Sequence, residues 1–339
     1  MKAVVKTKKE PGVELMDIET PSPNPKQILL KVKAAGICGT DVHIYEWTRD
    51  WGLPLPIVLG HEFTGVIAEC GKDVKDFQEG DRIICTPYVV CGKCVPCKTG
   101  KLQLCENAKH MGFHLNGGFA EYVLIPENVG GIFRVPESIT FEEAVLCEPL
   151  GVALHAIEIS QIKPGDSAIV IGVGPIGILL MQVLKASGVT TIGLQRSQFR
   201  LDIARSLGLN AYHPEDENFR KALKQVGGRV DVVFEVSGDH TVISKAVEMV
   251  KSGGEVILVG VYSSASIFNF TSLIDREISI KASFTHSYQT WQRALSLIAN
   301  RAINAKPLIT SVLPLKEAIK GFEILREKKA IKVLLAPEW

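Results

Sequence analysis

The sequence predicts an α/β protein of two domains, a β-rich one over residues 1–150 and a doubly wound parallel-sheet one over 151–286. A tail over 287–339 follows. Three observations carry that prediction. A chain of 339 residues is too long for one ordinary hydrophobic core. The first 150 residues carry short runs rich in Val and Ile, cut by Gly, Pro and Asp. From Pro164 the texture changes to apolar strands alternating with helical stretches, the pattern of a parallel sheet covered on both faces.

Taken in order, the chain opens on Met1-Lys-Ala-Val-Val-Lys6, a short strand without the long apolar core of a signal peptide. Further strands are expected at 27–34, 64–70 and 82–86, with turn signals such as Glu79-Gly80-Asp81 between them. In the second domain, strands are expected at 168–172, 190–195, 230–236, 255–260 and 278–284. Only 168–184 is apolar enough to suggest a membrane span. Pro175 and three glycines break it into strand, turn and helix, so it is not one. The tail shows helical periodicity at 288–300 and 315–328, then a last strand at 331–335. Apolar content of 46% suits well-filled cores, and a net charge of +1 gives no reason to expect a polyanionic partner, so neither nucleic acid nor a membrane surface is expected.

The stretch 36–62 is the chemical centre of the chain. It opens Gly36-Ile-Cys-Gly-Thr-Asp-Val-His43 and closes Gly60-His61-Glu62. A soft thiolate at Cys38, an imidazole at His61 and a carboxylate at Glu62 make the mixed donor set that catalytic zinc accepts. Asp41 reads either as a functional acid or as a helix cap.

The eight cysteines are 38, 70, 85, 91, 94, 97, 105 and 147. Without an export signal they point to metal binding in a reducing cytoplasm rather than to disulfides. Cys91, Cys94, Cys97 and Cys105 form a C-x2-C-x2-C-x7-C cluster, with Gly92, Pro96 and Gly100 permitting tight reversals. Four thiolates close a tetrahedron around a structural zinc; an iron–sulfur cluster is the alternative reading, and chance clustering the bland one. Cys70 and Cys85 read as buried core thiols.

Gly172-Val-Gly174-Pro175-Ile176-Gly177 follows one strand and opens a helix, with another strand about twenty residues on. In that context the glycines let backbone approach a pyrophosphate at a helix N-terminus. The next strand ends Gln195-Arg196-Ser197, without the acid that binds the ribose hydroxyls in an NAD site. Arg196 and Ser197 suit a phosphate and Gln195 does not repel one, which favours NADP over NAD; Arg200 is a second candidate. The competing reading is a solvated arginine after a strand.

These residues together resemble the zinc-dependent medium-chain dehydrogenase/reductase family, and the resemblance covers essentially the whole chain. It implies a GroES-like catalytic domain, a Rossmann domain, a tail that returns to the catalytic domain, and a homodimer or homotetramer. It implies two zinc ions per chain and NADP or NAD as cofactor. The run Phe141-Glu-Glu-Ala-Val-Leu-Cys-Glu148-Pro-Leu-Gly-Val-Ala-Leu-His155 is similar to the sorbitol-type polyol dehydrogenases. His43-Ile-Tyr-Glu-Trp47, with Trp51 close behind, is similar to L-threonine 3-dehydrogenases. In both groups a glutamate replaces the second cysteine ligand of liver-type enzymes, and Glu148 fills that position. Thr40 and His43 match the family's proton relay. The missing acid near Gln195 departs from both groups, and 283–288 lacks the Gly-Arg pattern of threonine dehydrogenases.

The expected reaction is hydride transfer between a secondary alcohol of a polyol or sugar-derived substrate and NAD(P), with L-threonine the alternative substrate. Tyr45, Trp47, Arg49 and Trp51 are expected to form a loop over the substrate, with Phe113, His114 and His286 weaker pocket candidates. A non-catalytic, zinc-stapled nucleotide-binding protein is the competing class.

Overall fold

The structure, a computed structural model, describes residues 1–338. The chain divides into two compact units. The first comprises Met1–Glu148, Ser287–Ala299 and the chain from Ala305 onward; the second comprises Pro149–His286 and Asn300–Asn304.

The first unit is the GroES-like one, built on a seven-stranded sheet and a smaller three-stranded one. In the larger sheet Ile28–Gly36 is the central strand, buried along most of its length. It pairs antiparallel with Glu62–Cys70, with Tyr122–Ile125 and with the last strand, Lys332–Ala336. Register decides the chemistry: Gly36 lies opposite both Glu62 and Leu334. The chain's end is thereby brought beside the 36–62 stretch. One strand here, Ile309–Pro314, escaped the sequence reading; it pairs parallel with the last strand. The tail helix expected at 315–328 is a short 3₁₀ turn, Leu315–Glu317, followed by the α-helix Ala318–Arg326.

The second unit is the Rossmann one. Its six parallel strands run, across the sheet, Ala211–Tyr212, Thr190–Leu194, Ser167–Ile171, Val230–Glu235, Val250–Leu258 and Ser279–Ala282. The order is that of a doubly wound sheet, with its switch point beside Ser167–Ile171, where ligands of such sheets bind. The strand expected at 255–260 begins earlier, at Val250. Among the described residues no helix is long and apolar enough to cross a membrane.

Candidate active site

The 36–62 stretch leaves the central strand at Gly36, turns at Cys38 and enters the helix Gly39–Glu46. Asp41 settles as a cap: its Oδ2 accepts the Cys38 backbone N–H at 2.8 Å. Its other oxygen lies 3.4 Å from His61 Nδ1, and neither atom has a well-aligned hydrogen-bond partner. A ring nitrogen turned to a buried carboxylate is how metal-binding imidazoles are oriented. The donor atoms of Cys38, His61 and Glu62 lie within 4.8 Å of one another, close enough to share one ion. Gly36 is what permits this, because a Cβ there would stand 2.3 Å from Glu62 Oε2.

A residue the sequence reading missed completes the centre. Lys332, 2% exposed, donates to both oxygens of Glu62 at 2.7 Å and to the Ile37 carbonyl at 3.3 Å. A lysine inside an otherwise buried strand needs such a partner, and that was the available signal. Burial pushes the Glu62 carboxyl up to about 7; Lys332 pulls it down and the neighbouring Glu148 charge adds to the rise. Glu148, 7% exposed, thus belongs to the same electrostatic cluster. Burial also opposes charge on His61, but Asp41 and Cys38 outweigh it and favour a cation at the ring. A site that draws positive charge onto an imidazole has the field a divalent cation satisfies.

Thr40 and His43 lie three residues apart on the same helix, with Thr40 Oγ 3.8 Å from Cys38 Sγ. His43 Nδ1 is buried without a hydrogen-bond partner. The expected aromatic loop is only partly a loop. Tyr45 is a buried helix residue stacked on Phe322 at 4.8 Å, and Trp47 ends the helix in a left-handed conformation. Helical periodicity wins there because Tyr45 and Ile44 face the core. Buried Lys6 ties the helix end down through the carbonyls of Glu10, Gly12 and Tyr45. Arg49 covers the Trp51 ring at 3.9 Å. Phe113 lies against His61, with ring centres 5.2 Å apart, whereas His114 accepts the His110 N–H and is spent on its own turn. His286 is buried in the second unit.

Cys91, Cys94, Cys97 and Cys105 also converge within 4.8 Å. The N–H groups of Lys93 and Cys94 hold the Cys91 thiol down at about 6. Desolvation and the neighbouring sulfurs push Cys97 up to about 12. Sulfurs this close oppose one another's charge, a repulsion that a bound cation would relieve. Cys85 is a buried core thiol, but Cys70 is only half-buried, its Sγ 3.7 Å from the Phe77 carbonyl at the strand's end.

In the second unit the strand Ser167–Ile171 runs into Gly172, whose φ of +99° suits glycine alone. A Cβ at Gly177 would meet the Gly172 carbonyl at 2.1 Å. Gly174 precedes the helix Pro175–Ala186 and supplies no side-chain cap; Pro175 has no N–H to satisfy, and those of Ile176 and Gly177 are left for a ligand. Arg200 stands beside this turn, its Nη1 3.5 Å from where a Gly174 Cβ would be and its Nε buried without a partner. Such a cradle fits a dinucleotide. At the end of the next strand Gln195 folds back, its Oε1 accepting the N–H groups of Arg196 and Ser197. Arg196 is not the free cation the sequence suggested: it pairs with Asp239 at 2.6 Å. Nor was Glu235 anticipated. Fully buried, it accepts from Ser237 N and Oγ, Gly238 N and the Tyr262 hydroxyl, bracing the loop that packs against Gly172.

A mixed thiolate–imidazole–carboxylate centre, a closed four-thiol lobe and a dinucleotide turn in one chain define a zinc-dependent dehydrogenase. Comparison with known proteins agrees. Residues 24–137 match the alcohol dehydrogenase GroES-like domain and residues 175–300 the zinc-binding dehydrogenase domain. The chain is 35% identical to sorbitol dehydrogenase of Halalkalibacterium halodurans, over 99% of both sequences. It is 34% identical to L-threonine 3-dehydrogenase of Bacillus velezensis, again over 99% of both. A chain of Sinorhizobium meliloti 1021, classed as a zinc-binding dehydrogenase and solved bound to NADP, superposes with a TM-score of 0.91 at 31% identity, covering 99% of each. The protein belongs to the zinc-containing medium-chain alcohol dehydrogenase family and is a zinc- and NAD(P)-dependent alcohol/polyol dehydrogenase.

Proposed function

We propose that the protein oxidises a secondary alcohol of a polyol or sugar-derived substrate, reversibly, with NADP favoured over NAD. The observation that carries the reading is the convergence of half-buried Cys38 with buried His61 and Glu62, with Glu148 in the same field. When bound, zinc supplies a Lewis acid that lowers a hydroxyl's pKa, and the nicotinamide supplies the hydride acceptor. Cys38 and His61 hold the metal. Glu62 and Glu148 are its alternative carboxylates, and Lys332 tethers Glu62 from behind. One thiolate among harder donors suits a chelating diol or amino alcohol. Thr40, beside Cys38, and His43 form the proton relay, which runs from the hydroxyl by way of the cofactor ribose to the imidazole and solvent. Cys91, Cys94, Cys97 and Cys105 hold the structural zinc. Gly172, Gly174, Pro175, Ile176 and Gly177 receive the pyrophosphate, while Gln195, Arg196, Ser197 and Arg200 surround the adenosine end.

L-Threonine is the second reading, supported by the 34% identical threonine dehydrogenase. A panel of polyols, sugar acids and L-threonine, assayed with both nucleotides, separates the two. The reading expects the largest kcat/KM on a polyol or sugar-derived alcohol; a larger value on L-threonine overturns it.

The assembly is proposed to be a homodimer or homotetramer. Among the described residues the outer strand Ser279–Ala282 has no further neighbour, and Val261, Ile267, Phe270 and Ile274 nearby in sequence are all exposed. Light scattering on the purified protein tests it, and a monomer at micromolar concentration contradicts it.

A further inference from the structure

The acid missing from the end of Thr190–Leu194 is supplied from elsewhere. Asp239 lies in the loop after Val230–Glu235, on the other side of the central strand Ser167–Ile171. Its Oδ2 takes Arg196 Nη2 at 2.6 Å. Its Oδ1 is fixed separately, by Thr241 N at 2.9 Å and Thr241 Oγ1 at 2.6 Å. The carboxylate therefore does not swing away when Arg196 is wanted for another ligand. The loop beneath it is equally constrained: Asp239 N donates to Ser237 Oγ, and Ser237 is held by buried Glu235. The same loop begins against the dinucleotide turn, since a Cβ on Gly172 would meet Ser237 N at 2.7 Å.

An exposed ion pair contributes little to stability, and the Arg196 side chain is 67% exposed. Its consequence here is for recognition. A phosphate that uses Arg196 must break a short charge-assisted bond and then sit beside a fixed negative charge. A ribose hydroxyl meets no such repulsion and gains an acceptor.

We propose that Asp239 is a specificity-determining residue that narrows the preference for a 2′-phosphorylated nucleotide, so that the protein accepts both NADP and NAD. The proposal rests on the reading that the nucleotide lies on the 172–177 turn with Arg196 facing its adenosine ribose.

Calorimetric titration of the zinc-replete protein with 2′,5′-ADP and with 5′-ADP tests it. Asp239→Asn retains an oxygen for the Thr241 cap. It should tighten 2′,5′-ADP about tenfold, the effect of removing one opposed charge, and change 5′-ADP less than threefold. Adding Arg196→Gln to it should abolish the gain. Should the asparagine variant not fold, Asp239→Ser keeps a capping hydroxyl and serves the same comparison. If neither Asp239 variant changes the ratio of the two affinities while Arg196→Gln alone weakens 2′,5′-ADP, Asp239 has no such role and the Arg196 reading stands. If Arg196→Gln alone leaves the ratio unchanged, the Arg196 reading fails and the proposal falls with it.

Discussion

The two metal-binding clusters of the first unit are built in opposite ways. The four-thiol lobe gathers its ligands from fifteen consecutive positions, and three of its four sulfur-bearing residues are only half-buried. The mixed centre gathers Cys38, His61 and Glu62, with Glu148 nearby, and leans on Lys332, 270 positions beyond Glu62. One is a local staple that the chain closes on itself. The other exists only once the central strand has paired with both Glu62–Cys70 and Lys332–Ala336. Damage to the lobe should therefore register mainly as stability, and damage to the mixed centre mainly as chemistry.

The largest effect is expected from Cys38→Ser. Lewis-acid stabilisation is worth several kcal/mol, so kcat should fall by about a thousandfold or more, while calorimetry shows nucleotide affinity unchanged within about threefold. Turnover near the parent value would remove Cys38 from the site.

Next comes Lys332→Met, which strands the buried Glu62 carboxylate. Breaking a buried pair from one side costs about 3–5 kcal/mol, to be read from urea unfolding. The double variant with Glu62→Gln should recover much of that stability, because the uncompensated charge is gone. Equal destabilisation of single and double variants would show that the lysine's packing, not its charge, matters.

Cys97→Ser should act on the lobe alone. Losing its metal should lower Tm by about 5 °C, the shift that ~2 kcal/mol produces in a domain of this size. An unchanged Tm with unchanged zinc content would contradict the closed-site reading.

The smallest effect concerns a half-exposed pair that contrasts with Lys332–Glu62. Burial works against Asp231, but Lys251 and the N–H and hydroxyl of Ser167 overcome it and hold its carboxyl below the ordinary value. A carboxyl depressed on folding stabilises the protein above its unfolded pKa, about 3.9, and that contribution disappears as pH falls through the folded value. Solvent screening keeps it below about 1 kcal/mol. Asp231→Asn should accordingly cost up to about 1 kcal/mol at neutrality and flatten the acid limb of the stability–pH curve, its effect vanishing as pH falls below about 4. A loss confined to acid pH would reverse the assigned sign.

The same contrast explains what could be read from residues alone. Spacing carries the four-cysteine lobe and the glycine turn, because ligand geometry and backbone approach are set within a few residues. Cys38 and His61-Glu62 are legible as a donor set, but nothing local announces Lys332, whose partner is chosen by strand register. Asp239 escapes for a like reason: it reaches Arg196, just beyond the end of one strand, from the loop after another. Tyr45 reads as a loop residue because the aromatic rings of Trp47 and Trp51 and the arginine at Arg49 follow it closely. Its stacking on Phe322, near the chain's other end, depends on a tertiary contact that no window of sequence contains.

The most direct test is zinc stoichiometry by plasma mass spectrometry on the parent protein, Cys38→Ser and Cys97→Ser, each purified under reducing conditions with zinc supplied. Two ions per chain in the parent and one in each variant is the expected result, with turnover lost in the first variant and retained, per folded molecule, in the second. A parent that holds one ion, or a Cys38→Ser protein that still holds two, would contradict the account.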